Sequence, residues 1–410
     1  MPSLLSRAIP TVANAAQTRD RTDGPSRPRH RHDSPAISIP VVAQPKTLRA
    51  RAAHVKKGRH LARQESWNTL AKLIRTADRR RLAVGDGALV AELLAAGARA
   101  DAMEAAREAV SRSDPLGARY PVSSLEAAIE DDASDVALAL VLALAHIDVA
   151  RLWCGADGLP PVIEDQHRAY SGHLADAARL IAPFDPLELD SPLLASLRCR
   201  LLAADLRPRD RVADDYEDLI DLAPNTPGPL RALGRDLLPR RFGNYEMLDT
   251  EARRSAARTG DVWGQGGYAW VYLDALALDP GALRRIDAEL FVAGLHDIVE
   301  RCGDQHTINV LAAFTGLSMS SKGDRRPARI RIAACFDWIA RDHLREVHPL
   351  VWDAAPTPGT ADAGPQDLAG QIARGKSRAL STLADHFALE IAAGQRIEFH
   401  PEGLRVLSDG

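Results

Sequence analysis

After residue 46, apolar residues recur at intervals of three and four positions, the spacing that places them on one face of an α-helix. The clearest segment is 280–303, whose apolar positions are Leu283, Ile286, Leu290, Phe291, Leu295, Ile298, Val299 and Cys302. Asp279 and Pro280 suit the N-cap and the first helical position, and Gly303 suits the C-terminal cap. The pattern predicts one helix over residues 280–303.

Five short segments rich in Asp, Ser, Asn and Pro separate the stretches that are predicted to form helices. They are Ser113-Asp114-Pro115, Phe184-Asp185-Pro186, Asp190-Ser191-Pro192, Ala223-Pro224-Asn225 and Leu278-Asp279-Pro280. Proline prevents the outgoing helix from continuing, and the polar side chain caps the incoming one. The chain is therefore predicted to be all-α, a succession of helices joined by short turns.

The chain begins with a segment that lacks this periodicity. Residues 1–46 contain seven prolines and an Arg/His-rich stretch, which predicts a disordered basic tail. The helical body is expected to span residues 47–354. The Pro/Gly/Ala-rich residues 355–366 are interpreted as a linker.

The last segment, residues 367–410, combines two patterns. Its first part is helix-permissive to about residue 393. Beyond that point apolar residues alternate about the turn 400–403, at positions Ile397, Phe399, Leu404 and Val406. This alternation predicts a small C-terminal β-hairpin that packs on the helices.

One stretch of the body resembles the tetratricopeptide repeat, a helix-turn-helix unit of 34 residues. It is DDYEDLIDLAPNTPGPLRALGRDL, residues 214–237, with Pro224 in the place of the proline that ends a repeat. Tyr216 and Leu219 then fall at packing positions of the first helix. The packing positions of the next helix are Leu230, Leu233, Gly234 and Leu237.

Residues 89–115 and 242–248 are similar to the same family, but each departs from its spacing by one or two residues. The interval from Pro224 to Pro280 is 56 residues rather than 34. The resemblance therefore implies an irregular α-solenoid of antiparallel helix hairpins, with a plain helical bundle as the alternative. It also implies that Arg231 and Arg235 line a groove and hold carboxylates of a bound peptide; otherwise both are solvent-exposed.

The net charge of −3 conceals an uneven distribution of charge along the chain. Residues 1–81 contain 18 Lys and Arg against 5 Asp and Glu, and the remainder contains 34 against 50. Such a basic front can attract the phosphates of nucleic acid or of an anionic surface. The alternative is that it solvates a tail or lies against the acidic body.

No sequence motif indicates catalysis or a cofactor. The segment 343–348, HLREVH, places two histidines five positions apart, which diverge by about 140° on a helix, so an exposed helical face is preferred to a metal site. The triplets Asp165-Gln166-His167 and Asp304-Gln305-His306 fit helix starts with Asp as N-cap. We therefore expect no catalytic, cofactor-binding or metal-binding residue.

The four cysteines and the apolar runs bear on the compartment. Cys154, Cys199, Cys302 and Cys335 lie more than thirty positions apart and form no metal-binding spacing. A reducing, cytoplasmic setting is the default for such a chain. The longest apolar run, 136–145, has about half the length that a membrane-spanning helix needs.

Aromatic residues are concentrated between residues 242 and 272. Tyr and Trp combine an apolar body with a polar tip and favour interfaces, although a packing row between helices explains the same spacing. With the neighbouring arginines, the residues predicted to bind a partner are Arg231, Arg235, Arg253, Arg254, Trp263, Tyr268, Trp270 and Tyr272.

Two hypotheses for function follow from the sequence. The first is a non-enzymatic scaffold module that binds a protein or peptide segment through a helical groove. The second is a regulatory protein whose basic residues 1–81 bind nucleic acid or an anionic surface. An enzyme of an unfamiliar type is a third, less favoured possibility, and the oligomeric state is open.

Overall fold

Helices form about 72% of the chain in the computed structural model, and the small β-sheet lies at the C-terminal end. The structure describes residues 36–43, 46–85, 87–129, 135–155, 160–320, 324–357 and 367–408. These ranges belong to one unit that begins at Ala36. The predicted all-α class with a small C-terminal hairpin is confirmed.

The first half of the described chain contains α1 (Lys46–Arg63), α2 (Trp67–Arg79), α3 (Val90–Ala98), α4 (Ala100–Ser111), α5 (Pro115–Ile129), α6 (Val136–Leu152), α7 (Glu164–Ile181), α8 (Pro192–Leu201) and α9 (Pro208–Leu222). The second half contains α10 (Pro227–Asp236), α11 (Tyr245–Arg258), α12 (Gly260–Trp263), α13 (Gly266–Leu278), α14 (Ala288–Arg301), α15 (Gln305–Ala313), α16 (Pro327–Ala333), α17 (Cys335–Trp338), α18 (Pro349–Ala354), α19 (Leu368–His386) and α20 (Ala388–Ala392). Two π-helical segments, Phe314–Ser318 and Ile339–His343, follow α15 and α17.

Two helices with apolar residues on every side organise the interior. The helix α6 is the centre of a core built from α2 to α8, and α13 is the centre of a second core built from α8 to the C-terminal sheet. A helix that is apolar all round is stable only when neighbours cover every face. Their sequences, VALALVLALAHIDVARL and GGYAWVYLDALAL, therefore require the surrounding helices.

Glycine allows several of these helices to cross in backbone contact. A Cβ atom on Gly58 of α1 would overlap with the carbonyl group of Leu94 in α3, and one on Gly97 would overlap with the carbonyl of Val55. A Cβ on Gly234 of α10 would overlap in the same way with Val271 in α13. The packing positions assigned from the repeat resemblance around Gly234 are buried, at Leu230, Leu233 and Leu237.

The sheet joins the two ends of the described chain. The predicted hairpin is present as β2 (Gln395–His400) and β3 (Gly403–Ser408), and β1 (Ile37–Ser38) pairs parallel with β2. The predicted tail, residues 1–46, is thus wrong at its C-terminal end, because residues 36–43 belong to the folded body. Residues 1–35 lie outside the described residues.

The helix predicted over residues 280–303 is divided in two. A 3₁₀ segment, Pro280–Arg284, comes first, and α14 then begins at Ala288 because the Asp287 carboxylate accepts a hydrogen bond from the amide of Leu290. The single-helix prediction is therefore wrong. Asp279 does cap the first segment, through the amide of Gly281 at 2.8 Å.

Among the described helices, none combines the length and the apolar composition needed to cross a membrane.

Candidate functional site

The two arginines predicted to face a peptide groove contact a carboxylate of their own chain. Arg231 donates to Asp274 Oδ1 at 2.7 Å, and Arg235 is paired with Asp274 Oδ2. Asp274 belongs to α13, so the two guanidinium groups fasten α10 to α13. Their predicted pairing with a carboxylate is present, but the carboxylate is internal.

The aromatic residues predicted to bind a partner are core residues. Trp263, Tyr268, Trp270 and Tyr272 are all buried, and Tyr268 donates to Asp249 Oδ1 at 2.7 Å. Burial raises the pKa of both tyrosines. The surface interpretation of this cluster is wrong, because α13 is covered on every side; the alternative of a packing row between helices is the correct one.

Arg253 and Arg254 remain on the surface of α11 with partners close by in the chain. Arg253 donates to Asp249 at 2.9 Å and lies 5.4 Å from the centre of the Tyr268 ring. Arg254 donates to Glu251 at 2.8 Å. Of the eight residues predicted to bind a partner, Arg231 also lines a cavity.

That cavity, which we call the α1–α18 cavity, lies between α1, α10, α13, α15 and α18 and has a volume of about 310 Å³. Its walls expose mainly apolar atoms, although several polar residues also line them. The apolar part is formed by Leu48, Leu273, Ala277, Val310, Ala313, Phe314, Leu350 and Val351. The polar part is formed by Thr47, Arg51, Arg231, Asp274, His306, Ser318 and His348.

His348 is the most unusual group on this wall. Its side chain is 6% exposed, and its Nε2 lies 2.8 Å from Glu346 Oε1. Within the described residues, its buried Nδ1 has no hydrogen-bond partner. A buried polar atom without a partner is costly.

Asn309 holds the segment that carries His348. Its side-chain nitrogen donates to the carbonyl oxygens of Gln305 at 2.7 Å and Glu346 at 2.9 Å. Its Oδ1 accepts from the amide of His348 and from Nε1 of Trp352, both at 2.9 Å. All four hydrogen-bonding positions of this fully buried amide are used, which fixes α18 against α15.

The HLREVH segment is not the exposed helical face that its spacing indicated. His343 ends a π-helical segment, residues 344 and 345 are extended or irregular, and His348 is a buried residue preceding α18. Of the two Asp-Gln-His triplets, Asp304 caps α15, whereas α7 begins at Glu164, before Asp165. Among the described residues, no group of His, Cys, Asp and Glu has an arrangement that could hold a metal ion.

A second cluster of titratable groups lies in the other core, away from this cavity. His146 Nδ1 is 2.8 Å from His173 Nδ1, and His146 Nε2 is 2.9 Å from Glu126 Oε1. Asp176, which pairs with Arg119 at 2.7 Å, lies 4.0 Å from His146. Burial lowers the pKa of His173 to about 4. The ring is therefore neutral at neutral pH.

Neither His348 nor Asn309 was among the residues selected from the sequence for binding. A buried asparagine inside the apolar run NVLAAF, residues 309–314, is a detectable signal, because asparagine in such a run needs a specific partner. The cavity itself has no local signal, since five helices separated along the chain form it. Comparison with protein-family models, with curated proteins and with solved structures finds no match to this chain.

Proposed function

We propose that the chain is a non-enzymatic binding module that captures an apolar side chain of a partner polypeptide in the α1–α18 cavity. The observation that carries the proposal is the mainly apolar surface of this cavity, at which polar residues such as Arg231 and His348 also lie. A polypeptide offers polar backbone groups beside each apolar side chain, so one residue can fill the cavity with its side chain while its backbone meets the polar groups of the wall. A simple hydrocarbon supplies the first contact but not the second.

The size of the cavity favours a single anchor residue. A volume of about 310 Å³ is at the lower end of the range for pockets that enclose a complete small ligand. Interfaces between proteins commonly depend on a few buried anchors surrounded by weaker contacts. The partly exposed guanidinium of Arg231 at the cavity can make one of these weaker, polar contacts.

The polar groups of the wall favour binding over nucleophilic chemistry. Among the described residues that line the cavity there is no cysteine, and the Ser318 hydroxyl donates to the carbonyl oxygen of Pro356 at 2.6 Å. His348 points its Nε2 at Glu346 rather than at a hydroxyl. Cys199, Cys302 and Cys335 form no disulfide, which supports the inference of a reducing, cytoplasmic setting.

The repeat resemblance stays part of this proposal. Tetratricopeptide-like units bind extended segments, and we infer that α9 and α10, two successive helices joined by a short turn with Arg231 in α10, act as such a unit. The cavity lies on the side of α10 that carries Arg231. We therefore propose that the irregular array of hairpins serves to bring the five cavity helices together.

A random peptide library displayed on phage provides the test. Peptides selected by the full chain are expected to share one apolar residue, and its replacement by alanine should weaken binding by roughly 10- to 100-fold, the value of burying one such side chain. Ala277→Phe should fill the cavity and abolish binding. Ala257→Phe, at an exposed position of α11, is the matched control.

Two results would contradict the proposal. One is a set of selected peptides that binds the Ala277→Phe chain and the unmodified chain equally well. The other is a library from which no peptide is enriched in repeated rounds against the folded chain. Calorimetric titration of synthetic peptides against both variants gives the affinities.

A further inference from the structure

The solvent-facing side of α1 carries a line of positive charge. Over Lys46–Arg63 the helix contains seven Lys and Arg and no Asp or Glu. Five basic residues, which we call the α1 stripe, fall within an arc of about 100° on a helix of 3.6 residues per turn. They are Lys46, Arg49, Lys56, Lys57 and His60, and all are exposed.

The stripe is distinct from the basic residues of α1 that have partners. Arg59 and Arg63 lie to one side of it and pair with Asp101 of α4, and Arg59 also pairs with Glu104. These contacts neutralise the nearby carboxylates; the hydrogen bond from Arg63 holds the pKa of Asp101 at about 2. Within the described residues, no side chain of the stripe forms a hydrogen bond or ion pair.

The opposite side of α1 explains why the stripe must face solvent. Gly58 packs against Leu94 of α3, and Thr47, Leu48 and Arg51 line the α1–α18 cavity. The helix is therefore fixed on one side by its neighbours. The cations of the other side are held in a straight row of roughly 21 Å, at 1.5 Å per residue.

We propose that the α1 stripe binds the phosphate backbone of nucleic acid. A row of cations about 21 Å long on a rigid helix suits a polyanion whose charges continue along its whole length, whereas the carboxylates of a peptide have no fixed spacing. Three of the five groups are lysines, which act on phosphate as point charges and require no bidentate geometry.

The composition of the stripe argues against a membrane surface. Helices that bind in the headgroup region place large apolar side chains beside the cations. The exposed residues between the cations of α1 include Ala52 and Ala53, and no exposed large apolar side chain belongs to this helix. Backbone contacts alone carry no base information, so the binding should be independent of sequence.

Salt-dependent binding to a labelled DNA duplex of random sequence tests the proposal. Four Lys and Arg contacts predict that log K falls with log salt concentration with a slope of about −3 to −4, since each neutralised phosphate contributes about −0.9. The triple variant Arg49→Gln, Lys56→Gln, Lys57→Gln should lower the magnitude of the slope by about 2 to 3. Its affinity at low salt should fall by at least about tenfold.

The matched control removes three cations from other exposed helix and turn positions. Arg107, Arg240 and Lys376 are exposed, and a triple Gln variant of these residues should bind like the unmodified chain. Both triple variants should keep the unmodified unfolding temperature, because the substituted side chains face solvent. Measuring the affinity for a single-stranded RNA of equal length shows whether the protein prefers double-stranded DNA or single-stranded RNA.

Several outcomes would overturn the proposal. They are unchanged binding by the α1 triple variant, an equal loss in the control variant, and tighter binding to phosphatidylserine vesicles than to nucleic acid. A basic tail that bound by itself would give the first result. The test uses the full chain, so residues 1–35 are present in every variant and cannot account for a difference between them.

Discussion

His146 and His173 share one hydrogen bond in the interior, so one Nδ1 must donate and the other must accept. The other ring nitrogen of His146, Nε2, is hydrogen-bonded to the carboxylate of Glu126. Burial is the main cause of the low pKa of His173, and the neighbouring His146 adds to it. The folded protein therefore resists protonation of a ring that the unfolded chain protonates readily.

The pH dependence of stability follows from this difference. The pKa of His173 is about 4 in the folded state against about 6.5 in an unfolded chain. The unfolded state thus binds more protons between these values, and stability is lost as the pH falls through this window. The expected loss is about 3 kcal/mol between roughly pH 7 and pH 4.

Guanidinium unfolding of His173→Gln across this window isolates the contribution of the ring. The variant should lose much less stability on acidification than the unmodified chain. His60→Gln, at an exposed position of α1, should retain the original pH dependence. Identical pH profiles for His173→Gln and the unmodified chain would show that the buried ring does not control acid stability.

Asn309 is the residue on which the position of His348 depends. Replacement of Asn309 by Leu keeps a similar volume but leaves the amide of His348, Nε1 of Trp352 and the carbonyl oxygen of Glu346 without their partner. Each unsatisfied buried group costs about 1–3 kcal/mol. We expect a loss of at least about 3 kcal/mol in the free energy of unfolding, measured by chemical denaturation.

The same variant separates structure from binding. If His348 acts in the proposed site, the folded fraction of Asn309→Leu should bind the selected peptides more weakly than the unmodified chain. Normal peptide affinity in that variant, with reduced stability, would mean that His348 does not contact the ligand.

At the scale of elements, the crossing of α10 and α13 depends on Gly234. A Cβ at this position would overlap with the backbone of Val271, which cannot move independently of α13. Overpacking of a rigid contact costs about 1–3 kcal/mol. Gly234→Ala should therefore destabilise the protein by about 2 kcal/mol or more and lower its unfolding temperature.

Gly172 in α7 provides the opposite expectation for the same substitution. Nothing lies near the position of its Cβ, so alanine there should stabilise the helix by about 0.5–1 kcal/mol. Thermal unfolding of the two alanine variants should give shifts of opposite sign. Shifts of the same sign would mean that backbone contact at Gly234 is not what fixes this crossing.

Several element predictions were correct because they rest on local chemistry. Asp114, Ser191 and Asp279 each accept a hydrogen bond from an amide two or three positions ahead at the start of a helix, as predicted. Asp185 accepts such a bond too, but the helix predicted there is wrong, because residues 186–190 form a turn and α8 begins only at Pro192. The break at Asp287 was not predicted, since Leu283 and Ile286 keep the helical spacing across it. An apolar stripe does not distinguish a continuous helix from a 3₁₀ segment followed by an α-helix.

The site was less predictable than the elements, for a physical reason. The resemblance selected Arg231, which does line the cavity, whereas the concentration of aromatic residues selected side chains that are buried in the core. The run YAWVYLDALAL, residues 268–278, is apolar on every face, and that is the pattern of a buried helix. The burial of α13 could therefore be predicted from the local sequence. The cavity could not, because it forms where α1, α15 and α18 pack together in the tertiary structure.

At the scale of the whole molecule, the N-terminal end of the described chain stabilises the C-terminal end. Val42 donates to the carbonyl oxygen of Val347 at 2.9 Å, and Val347 donates to that of Pro40 at 2.8 Å. Ile397 of β2 donates to the carbonyl oxygen of Ala36 at 2.9 Å. The segment 36–43 thus supports both the hairpin and the residue that precedes His348.

Comparing a chain that begins at Ala36 with one that begins at Gln44 tests this role. The shorter chain loses β1, three backbone hydrogen bonds and the packing of two half-buried isoleucines, Ile37 and Ile39. The free energy of unfolding should fall by about 3 kcal/mol, at about 1 kcal/mol for each hydrogen bond. The burial of the two isoleucines adds little, because the entropy cost of ordering the segment largely offsets it. Because Val347 is released as well, peptide affinity should fall together with stability. Equal stability and affinity in the two chains would mean that residues 36–43 only rest on the body, whereas a loss of both would place them among the elements that build the site.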